Sequence, residues 1–346
     1  MKRFILKITY ILADLLGINL LFRYLNSGKM RILMYHGISS GHLPTLYWTH
    51  IGKEKFTWQM KYLKRRYNVV PGAVLTEESM QSVLRKHAVV ITFDDGLESV
   101  YTEAWPILKK YRLTAVCFVL PGLSESGRSI WTDYLYEFFI AGLGMEIDLT
   151  AFGLGRYRRE DYGLHQRAQL ALKIGGEAKS WPHEKREQLL AYLSAEYPTA
   201  DGSPDQSFRL MTVRQIQKLG SGEEFTIAPH SNTHPILSTM TPDQQEQEIC
   251  KTMETLVRWS VPHLPLFAYP NGRLEDFDRH TVRILQKMNI KAAVTTEEGF
   301  HDDLQDRFRI KRIPIGADVG KWEFKARMSG LFYFLLRLKN HFMKGH

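Results

Sequence analysis

Cysteine is scarce in this chain, and uninterrupted apolar runs long enough to cross a membrane are missing. The 346 residues include two cysteines, Cys117 and Cys250, which argues against a disulfide framework. Each thiol is expected to be a small core group rather than a metal ligand. The mostly apolar segment 4–22 is interrupted by Lys7 and Asp14, and a charge at mid-bilayer costs about 2.5–3.5 kcal/mol.

Internal repeats, low-complexity tracts and nucleic-acid-binding motifs are also missing. The apolar share of 44% and the charged share of 24% are those of an ordinary globular protein. The length allows one large domain or two smaller ones. The net charge of +9 is dispersed along the chain, which favours an anionic membrane surface or an acidic polysaccharide as a partner, and no nucleic acid.

Two adjacent carboxylates follow the most strand-like segment of the chain. Residues 89–93, Val-Val-Ile-Thr-Phe, lead into Asp94, Asp95 and Gly96. Side chains alternate on a strand, but Gly96 permits a turn that lets both carboxylates face one site. Paired anions indicate a metal or a shared proton. The alternative is a turn that caps the following helix.

Two histidines follow another strand-like segment, 225–229. His230 and His234 are four residues apart, a spacing that puts them on one face of a helical turn and suits a divalent metal. The alternative is a pair of surface or capping residues. Asp95 is the natural third ligand, which would leave open positions for water and substrate. No Glu follows His230, so the zincin pattern is excluded and Asp94 becomes a candidate base.

Strand-like and helix-like segments alternate along the chain, as a parallel sheet covered by helices requires. The helical patterns include 98–111, 242–259 and 275–288. Both motifs follow predicted strands, at the end where such folds assemble their sites. The predicted strands are 31–35, 89–93, 115–119, 225–229, 266–269, 292–295 and 309–314.

Together the motifs resemble those of the polysaccharide deacetylase family, the NodB-homology group or carbohydrate esterase family 4. Residues 92–96 match its first motif, Thr-Phe-Asp-Asp-Gly, and 230–234 match its second, His-Ser/Thr-x-x-His. Residues 267–272 match its third motif in part. The resemblance extends from around Arg31 to Ile315 and implies an α/β fold, a distorted (β/α)7 barrel of the NodB type.

The resemblance implies a metal-dependent hydrolase that removes acetyl groups, N-acetyl first, from an acetylated polysaccharide or glycolipid. Asp95, His230 and His234 would hold a divalent metal: zinc first, with cobalt, nickel, iron or manganese as alternatives. Asp94 would be the base that deprotonates the attacking water. The backbone amide of Asn271 would stabilise the tetrahedral oxyanion.

Two departures from the family pattern concern the base and the acid. Ala268 and Asn271 stand where many members carry a base-orienting Arg and an aromatic residue. Arg312 could replace that Arg, and the alternative is a plain basic residue at a strand end. The usual C-terminal Leu-x-His, whose histidine protonates the leaving amine, is not found after residue 300.

His36 is the candidate acid, because a permuted version of the family resembles this chain in having the acid just after the first strand. An imidazole that titrates near neutrality suits that role. The alternative is a histidine packed beneath the substrate loops, and His301 is a weaker candidate. These departures keep a second function open: a catalytically weak or inactive glycan-binding relative in a membrane-associated polysaccharide assembly.

We expect an apolar, amphipathic N-terminal segment, 1–29, a NodB-like barrel, 30–320, and a basic amphipathic C-terminal segment, 321–346. A helical insertion, about 123–210, is interpreted as a subdomain that packs its own aromatic residues, with a sugar groove as the alternative. Basic amphipathic segments favour peripheral attachment to a membrane surface over spanning, and the alternative for each end is a helix docked on the barrel. No cleavable signal peptide is evident, so a cytoplasmic location or one peripheral to the inner membrane is expected.

Overall fold

The computed structural model describes residues 2–41, 47–77, 87–141, 146–197, 205–301 and 306–344. Its strands, in chain order, are β1 Arg31–Tyr35, β2 Gly37–Ser39, β3 His50–Gly52, β4 Asn68–Val69, β5 Ala88–Phe93, β6 Ala115–Val119, β7 Glu146–Asp148, β8 Arg156–Arg158, β9 Phe225–Pro229, β10 Leu266–Ala268, β11 Ala292–Glu298 and β12 Ile310–Pro314.

The described α-helices surround these strands. In chain order they are α1 Lys2–Leu15, α2 Ile18–Leu25, α3 Lys53–Arg66, α4 Trp105–Tyr111, α5 Pro121–Ser126, α6 Trp131–Ala141, α7 Leu164–Ala178, α8 His183–Glu196, α9 Val213–Gly220, α10 Pro242–Arg258, α11 Arg279–Lys287, α12 Lys321–Ser329 and α13 Leu331–Lys344. The segment predicted as a helix over 98–111 is helical throughout, with a π-helical turn, Val100–Ala104, that continues into α4.

Seven parallel strands form a nearly closed barrel. Their spatial order is β10, β11, β12, β1, β5, β6 and β9, and β4 pairs with β5 beside this path. Ile227 of β9 forms a parallel bridge with His263, just before β10, which brings the two ends of the sheet together. These are the seven strands that the sequence predicts. The predicted distorted (β/α)7 barrel is therefore confirmed.

Side chains of the barrel strands alternate between the interior and the surrounding helices. Val90 and Val116 belong to the interior cluster, whereas Ile91 and Cys117 pack against the helices. Strands buried on both faces have continuous apolar sequences, which is why they are legible from sequence. Cys117 is a fully buried core thiol, as predicted.

The helices α6, α7 and α8 pack around a hydrophobic cluster of their own. Aromatic side chains dominate it, because Trp131, Tyr136, Phe138 and Phe139 are all buried there. The cluster also takes in Leu97 and Leu210, which form an antiparallel bridge at the barrel end that carries the motifs. The helices between β6 and β9 are thereby fixed next to that end.

The terminal helices lie against one another on the barrel. Tyr10 and Ala13 of α1 share a buried cluster with Ala326 and Leu331 of the C-terminal helices. Asp14 forms an ion pair with Lys325, at 2.5 Å. Among the described residues, no single helix has the length and apolarity to cross a bilayer, whereas the pair 5–15 and 18–25, bent by 80°, satisfies both criteria jointly.

The terminal helices contact the barrel at the end where β1 begins. The Arg31 Nε donates to the Met328 carbonyl oxygen at 2.7 Å, and its Nη2 donates to the Asn26 carbonyl at 3.0 Å. The Arg23 Nη1 contacts the Arg66 carbonyl at the end of α3, at 3.4 Å. The terminal helices therefore meet at the end of the barrel opposite the two motifs.

Candidate active site and metal centre

The two carboxylates leave the end of β5 through a pair of left-handed residues. The Asp94 N–H donates to the Tyr35 carbonyl at 2.9 Å, which continues the pairing of β5 with β1. Asp95 then has φ +73° and Gly96 has φ +68°. Aspartate is one of the few non-glycine residues that tolerates this conformation. Asp95 thus makes the turn together with Gly96, and both carboxylates stay at the same end of the barrel.

The histidine motif forms an irregular loop rather than the helical turn that its spacing predicts. The His230 N–H donates to the Val119 carbonyl at 3.0 Å, so the loop starts in register with β6. Ser231 and His234 are both left-handed, with φ of +70° and +61°. The Ser231 hydroxyl accepts from the His234 N–H at 3.1 Å. The helical expectation was wrong because this hydrogen bond and the left-handed residues fold the loop back on itself.

Asp95, His230 and His234 converge as the sequence predicts. The Asp95 Oδ1 lies 3.4 Å from the His230 Nε2 and 3.6 Å from the His234 Nε2. One side-chain ligand atom from each residue lies within 4.8 Å of the others, and no second group of this kind occurs in the part of the chain that the structure describes. All three side chains are mostly withdrawn from solvent.

The two imidazoles differ in protonation: burial would lower the pKa of His230, but its hydrogen bond with Asp95 raises it above the ordinary value, whereas His234 is held neutral. The His230 Nδ1 lies 2.8 Å from the Ala268 carbonyl, to which it donates, and its Nε2 faces Asp95; such outer contacts fix the tautomer of ligating histidines. Burial lowers the pKa of His234 to about 3 and keeps this ring neutral. Burial would raise the pKa of Asp95, but the His230 hydrogen bond holds it below its ordinary value. Two imidazoles and a carboxylate form an established donor set for divalent metals.

Arg312 is buried in the barrel interior and holds Asp94 from below. Its Nη1 and Nη2 donate to Oδ1 and Oδ2 of Asp94, each at 2.7 Å, and the guanidinium is 0% exposed. The Arg312 Nε donates to the Thr295 carbonyl at 2.7 Å, and Nη1 contacts the Thr92 hydroxyl at 3.2 Å. Burial would raise the pKa of Asp94, but the charge and hydrogen bonds of Arg312 lower it below its ordinary value. Arg312 is therefore a buried partner of Asp94 and not a plain basic residue at the end of a strand.

The two candidate acids lie at opposite ends of β1. His36 directly follows β1, beside Asp94, and its ring packs edge-on against Trp48, with centroids 5.5 Å apart. Its Nδ1 is buried and has no hydrogen-bond partner in the described parts of the chain. The His301 N–H donates instead to the Met30 carbonyl, before β1 begins, at 3.1 Å. His301 is therefore separated from the carboxylates by the length of the strand.

Asn271 lies in a tight loop after β10, with φ +60°. Its backbone carbonyl accepts from the Thr296 hydroxyl at 3.0 Å. Its side chain contacts Lys179 and Asp276, whereas no described residue accepts a hydrogen bond from its backbone N–H. Sequence analysis missed both side-chain partners. Lys179 belongs to no recognisable motif. Asp276 stands out in the sequence only as an acidic residue within a turn-rich segment.

Known proteins are similar to this one over most of the chain. The family model described as polysaccharide deacetylase matches residues 81–139 and 206–293, on either side of the segment that contains α7 and α8. A relative from Bacillus subtilis (strain 168), named "Putative polysaccharide deacetylase YxkH", is 36% identical over 308 residues. The alignment covers 88% of this chain and 77% of the relative.

Solved structures resemble the fold. The Streptococcus pyogenes deacetylase PplD, solved in complex with acetate, has a TM-score of 0.55 at 20% identity, with 87% of this chain and 98% of that chain covered. IcaB from Ammonifex degensii also has a TM-score of 0.55, at 16% identity, with 87% and 97% covered. At these identities the likeness concerns the architecture alone.

Proposed function

This chain belongs to the polysaccharide deacetylase family, and from that premise we propose that it is a metal-dependent hydrolase of acetyl groups on a polysaccharide or glycolipid. N-acetyl groups are the preferred substrate in this proposal, ahead of O-acetyl groups. The observation that carries it is the convergence of Asp95, His230 and His234 beside the ion pair of Asp94 with Arg312.

Asp95, His230 and His234 would hold the metal, with zinc as the first candidate and cobalt, nickel, iron or manganese as alternatives. When bound, the ion would polarise the acetyl carbonyl and lower the pKa of water. The contact of His230 with the Ala268 carbonyl supports this assignment, because it leaves the Nε2 of the ring directed at Asp95.

Asp94 would take the proton from the attacking water. Its bidentate contact with Arg312 fixes the plane of the carboxylate and uses one lone pair on each oxygen, so further lone pairs are left to accept a proton. The lowered pKa keeps Asp94 ionised at neutral pH. In this role Arg312 is the replacement for the missing Arg at Ala268, acting through Asp94.

Asn271 and His36 would act at the two ends of the scissile amide, the carbonyl oxygen and the leaving nitrogen. The Asn271 backbone N–H, which has no acceptor among the described residues, would donate to the oxyanion that develops from the acetyl carbonyl. His36 would protonate the leaving nitrogen as the carbon–nitrogen bond breaks. Its position at the end of β1, next to Asp94, supports this assignment.

The alternative, a weak or inactive glycan-binding relative, depended on the missing Arg and the uncertain acid. Arg312 lies on Asp94 with two hydrogen bonds of 2.7 Å, which removes the first of these reasons. A buried carboxylate held ionised beside three potential metal ligands is expensive to maintain and is accounted for by hydrolysis. We therefore retain the proposal that this protein is an enzyme.

Acetate release tests both the hydrolase and its acid. The zinc-loaded wild type is expected to release acetate from N-acetylated oligosaccharides. A His36→Gln variant should lose about 10²–10⁴-fold in kcat on the amide, and less on an O-acetyl ester, because an alcohol leaves without the protonation that an amine requires. His165→Gln, at an exposed position of α7, is the matched control.

Two outcomes of this experiment would reject parts of the proposal. If the wild type releases no acetate from either class of substrate, the chain is no deacetylase. If His36→Gln loses equally on amide and ester, His36 does not protonate the leaving nitrogen.

We further propose that the terminal helices attach the protein peripherally to an anionic membrane. Exposed apolar side chains are concentrated on α1, α2 and α13, and patches of this kind mark interaction surfaces. Lys7, Arg337 and Lys339 are exposed on the same helices, so the surface combines apolar and cationic groups as interfacial helices do. The exposed apolar residues of these helices and of the turn between α1 and α2 are Ile5, Leu6, Ile8, Leu12, Leu15, Leu16, Leu20, Leu21, Tyr24, Leu25, Phe334, Leu336 and Leu338.

Co-sedimentation with phosphatidylglycerol-containing vesicles tests the attachment. The wild type should pellet with the vesicles, and a Leu16→Glu/Leu21→Glu variant should stay in the supernatant, because each charge would have to enter the lipid interface. Val257→Glu is the control, since Val257 is an exposed apolar residue of α10 on the barrel, 68% exposed. Equal pelleting of the wild type and the double variant would contradict the proposal.

A further inference from the structure

Lys179, the residue that follows α7, reaches across to the loop that carries the proposed oxyanion donor. Its Nζ donates to the Asn271 Oδ1 at 2.5 Å. The ammonium group is largely withdrawn from solvent, and no described carboxylate lies within 4.0 Å of it. Asp276 acts on the Lys179 ammonium from beyond that distance, so the cost of burying this charge is offset only in part, and its direct hydrogen bond goes to a neutral amide. This contact therefore requires an explanation beyond packing.

The orientation of the Asn271 amide is fixed by its two partners. Lys179 can only donate hydrogen bonds, so the amide oxygen must face it. The Asn271 Nδ2 donates to the Asp276 Oδ2 at 2.5 Å, and the Asp276 carboxylate also accepts from the Arg273 N–H at 2.8 Å. The amide thus lies between a cation and a carboxylate that polarise it in the same direction.

This fixed side chain belongs to a residue whose backbone is in a sparsely populated conformation. Asn271 has φ +60° and Gly272 has φ +74°. Glycine adopts a positive φ freely, whereas a non-glycine residue such as Asn271 keeps it only where the surroundings determine it, at a cost of order 1–3 kcal/mol. The Thr296 hydroxyl donates to the Asn271 carbonyl oxygen, in the peptide unit that follows the one carrying the Asn271 N–H. The Pro270 carbonyl, in the same peptide unit as the Asn271 N–H, accepts from the Gly272 N–H at 2.6 Å. The direction of the Asn271 N–H is consequently set by this turn together with the contacts to Lys179, Asp276 and Thr296.

We propose that Lys179 is a positioning residue, which the helical insertion supplies to the barrel's active site. By holding the Asn271 side chain, Lys179 keeps the backbone N–H of Asn271 aimed at the position where the oxyanion develops. The inference rests on the proposed function and deepens it. It also gives α7 and α8 a role, since they place Lys179 against a loop that follows β10.

Kinetics of Lys179→Met test this role, because Met keeps the length of the side chain and removes its charge and donors. We expect kcat and kcat/KM for acetate release to fall together, by about 10- to 100-fold. Lys173→Met is the matched control, at an exposed position of the same helix. In an Asn271→Gly background, which keeps the N–H and tolerates positive φ, Lys179→Met should have little further effect.

Hydrogen–deuterium exchange of the metal-free protein supplies a readout that does not depend on activity. Peptides that cover 270–277 should exchange faster in Lys179→Met than in the wild type or Lys173→Met, while peptides from β5 and β9 should not change. Unchanged exchange in this loop would overturn the inference. So would a loss in Lys179→Met that persists in full in the Asn271→Gly background, because Lys179 would then act on the substrate directly.

The outcomes distinguish this inference from the function on which it rests. A wild type that releases no acetate rejects the proposed function. A wild type that is active, with Lys179→Met equally active, rejects the positioning role alone. Thermal unfolding of each variant establishes that a loss of rate does not come from a loss of folded protein.

Discussion

An Asp94→Asn variant is expected to lose about 10²–10⁴-fold in kcat for acetate release, the contribution of a positioned general base. Asparagine has the shape of aspartate but cannot take a proton at neutral pH. The measurement is acetate release at saturating substrate, with the zinc-loaded variant compared with the zinc-loaded wild type. Retention of the wild-type kcat in a folded Asp94→Asn protein would remove Asp94 from the mechanism.

The same substitution is also expected to lower the free energy of unfolding. Arg312 is 0% exposed, and in the variant its charge would be left in the barrel interior without an anion. Breaking a buried pair in this way costs about 3–5 kcal/mol. The lowered pKa of Asp94 means that the pair stabilises the folded state at neutral pH, and that this contribution is lost as the pH falls through the folded-state pKa. Stability is therefore compared at neutral pH.

A double variant separates the two effects of Asp94→Asn. In Asp94→Asn/Arg312→Met the buried cation is removed together with its partner, so the free energy of unfolding should recover toward that of the wild type. Acetate release should not recover, because the base is still missing. If the double variant regained activity, the loss in Asp94→Asn would have been a folding defect.

The second large effect is expected from His234→Ala. Removing one of the three proposed ligands should abolish acetate release and also the stabilisation that zinc gives to the wild type. At a free zinc concentration of 100 times Kd, that stabilisation is about 2.7 kcal/mol. The measurement is chemical unfolding with zinc and with chelator. His165→Ala, at an exposed position of α7, controls for zinc bound by surface imidazoles.

Unfolding in chelator also tests whether His234 acts through the metal. Without zinc, His234→Ala should be less stable than the wild type only by the free energy of a small buried contact. The left-handed φ of +61° at this position is strained for both histidine and alanine. Equal zinc stabilisation of the wild type and His234→Ala would contradict the assigned ligand set.

The barrel was predictable because its strands are buried on both faces. Continuous apolar segments such as those of β5 and β6 are legible without a partner, and the parallel pairing then brings their carboxyl ends to one edge. Asp95 and His230 meet for this reason, since β6 lies between β5 and β9 in the sheet. The convergence of the ligands follows from local patterns and one topological rule.

The remaining features of the site depend on long-range packing. Arg312 was a candidate only through the family resemblance, because it is 218 residues from Asp94 in sequence and its own strand does not distinguish it from an exposed basic residue. Lys179 reaches Asn271 over 92 residues, from an insertion whose fold has no motif. His301 lies at the end of β1 that is away from the carboxylates. This position follows from the hydrogen bond of His301 with Met30, which the sequence does not indicate.

The backbone conformations of the site were also beyond prediction. Four of the eight non-glycine residues with positive φ, in the ranges that the structure describes, are Asp95, Ser231, His234 and Asn271. Each conformation is locally unfavourable and persists through contacts with distant residues. Asp, Asn and His tolerate a positive φ better than most non-glycine residues, but nothing in the local sequence selects it, as the helical turn expected for the two histidines shows.

Calorimetric titration of the metal-free wild type with zinc tests the central claim most directly. The account predicts a single tight site per chain, lost in His234→Ala and retained in His165→Ala. If the folded wild type binds no zinc, cobalt, nickel, iron or manganese, or if His234→Ala binds as tightly as the wild type, then Asp95, His230 and His234 do not form a metal centre.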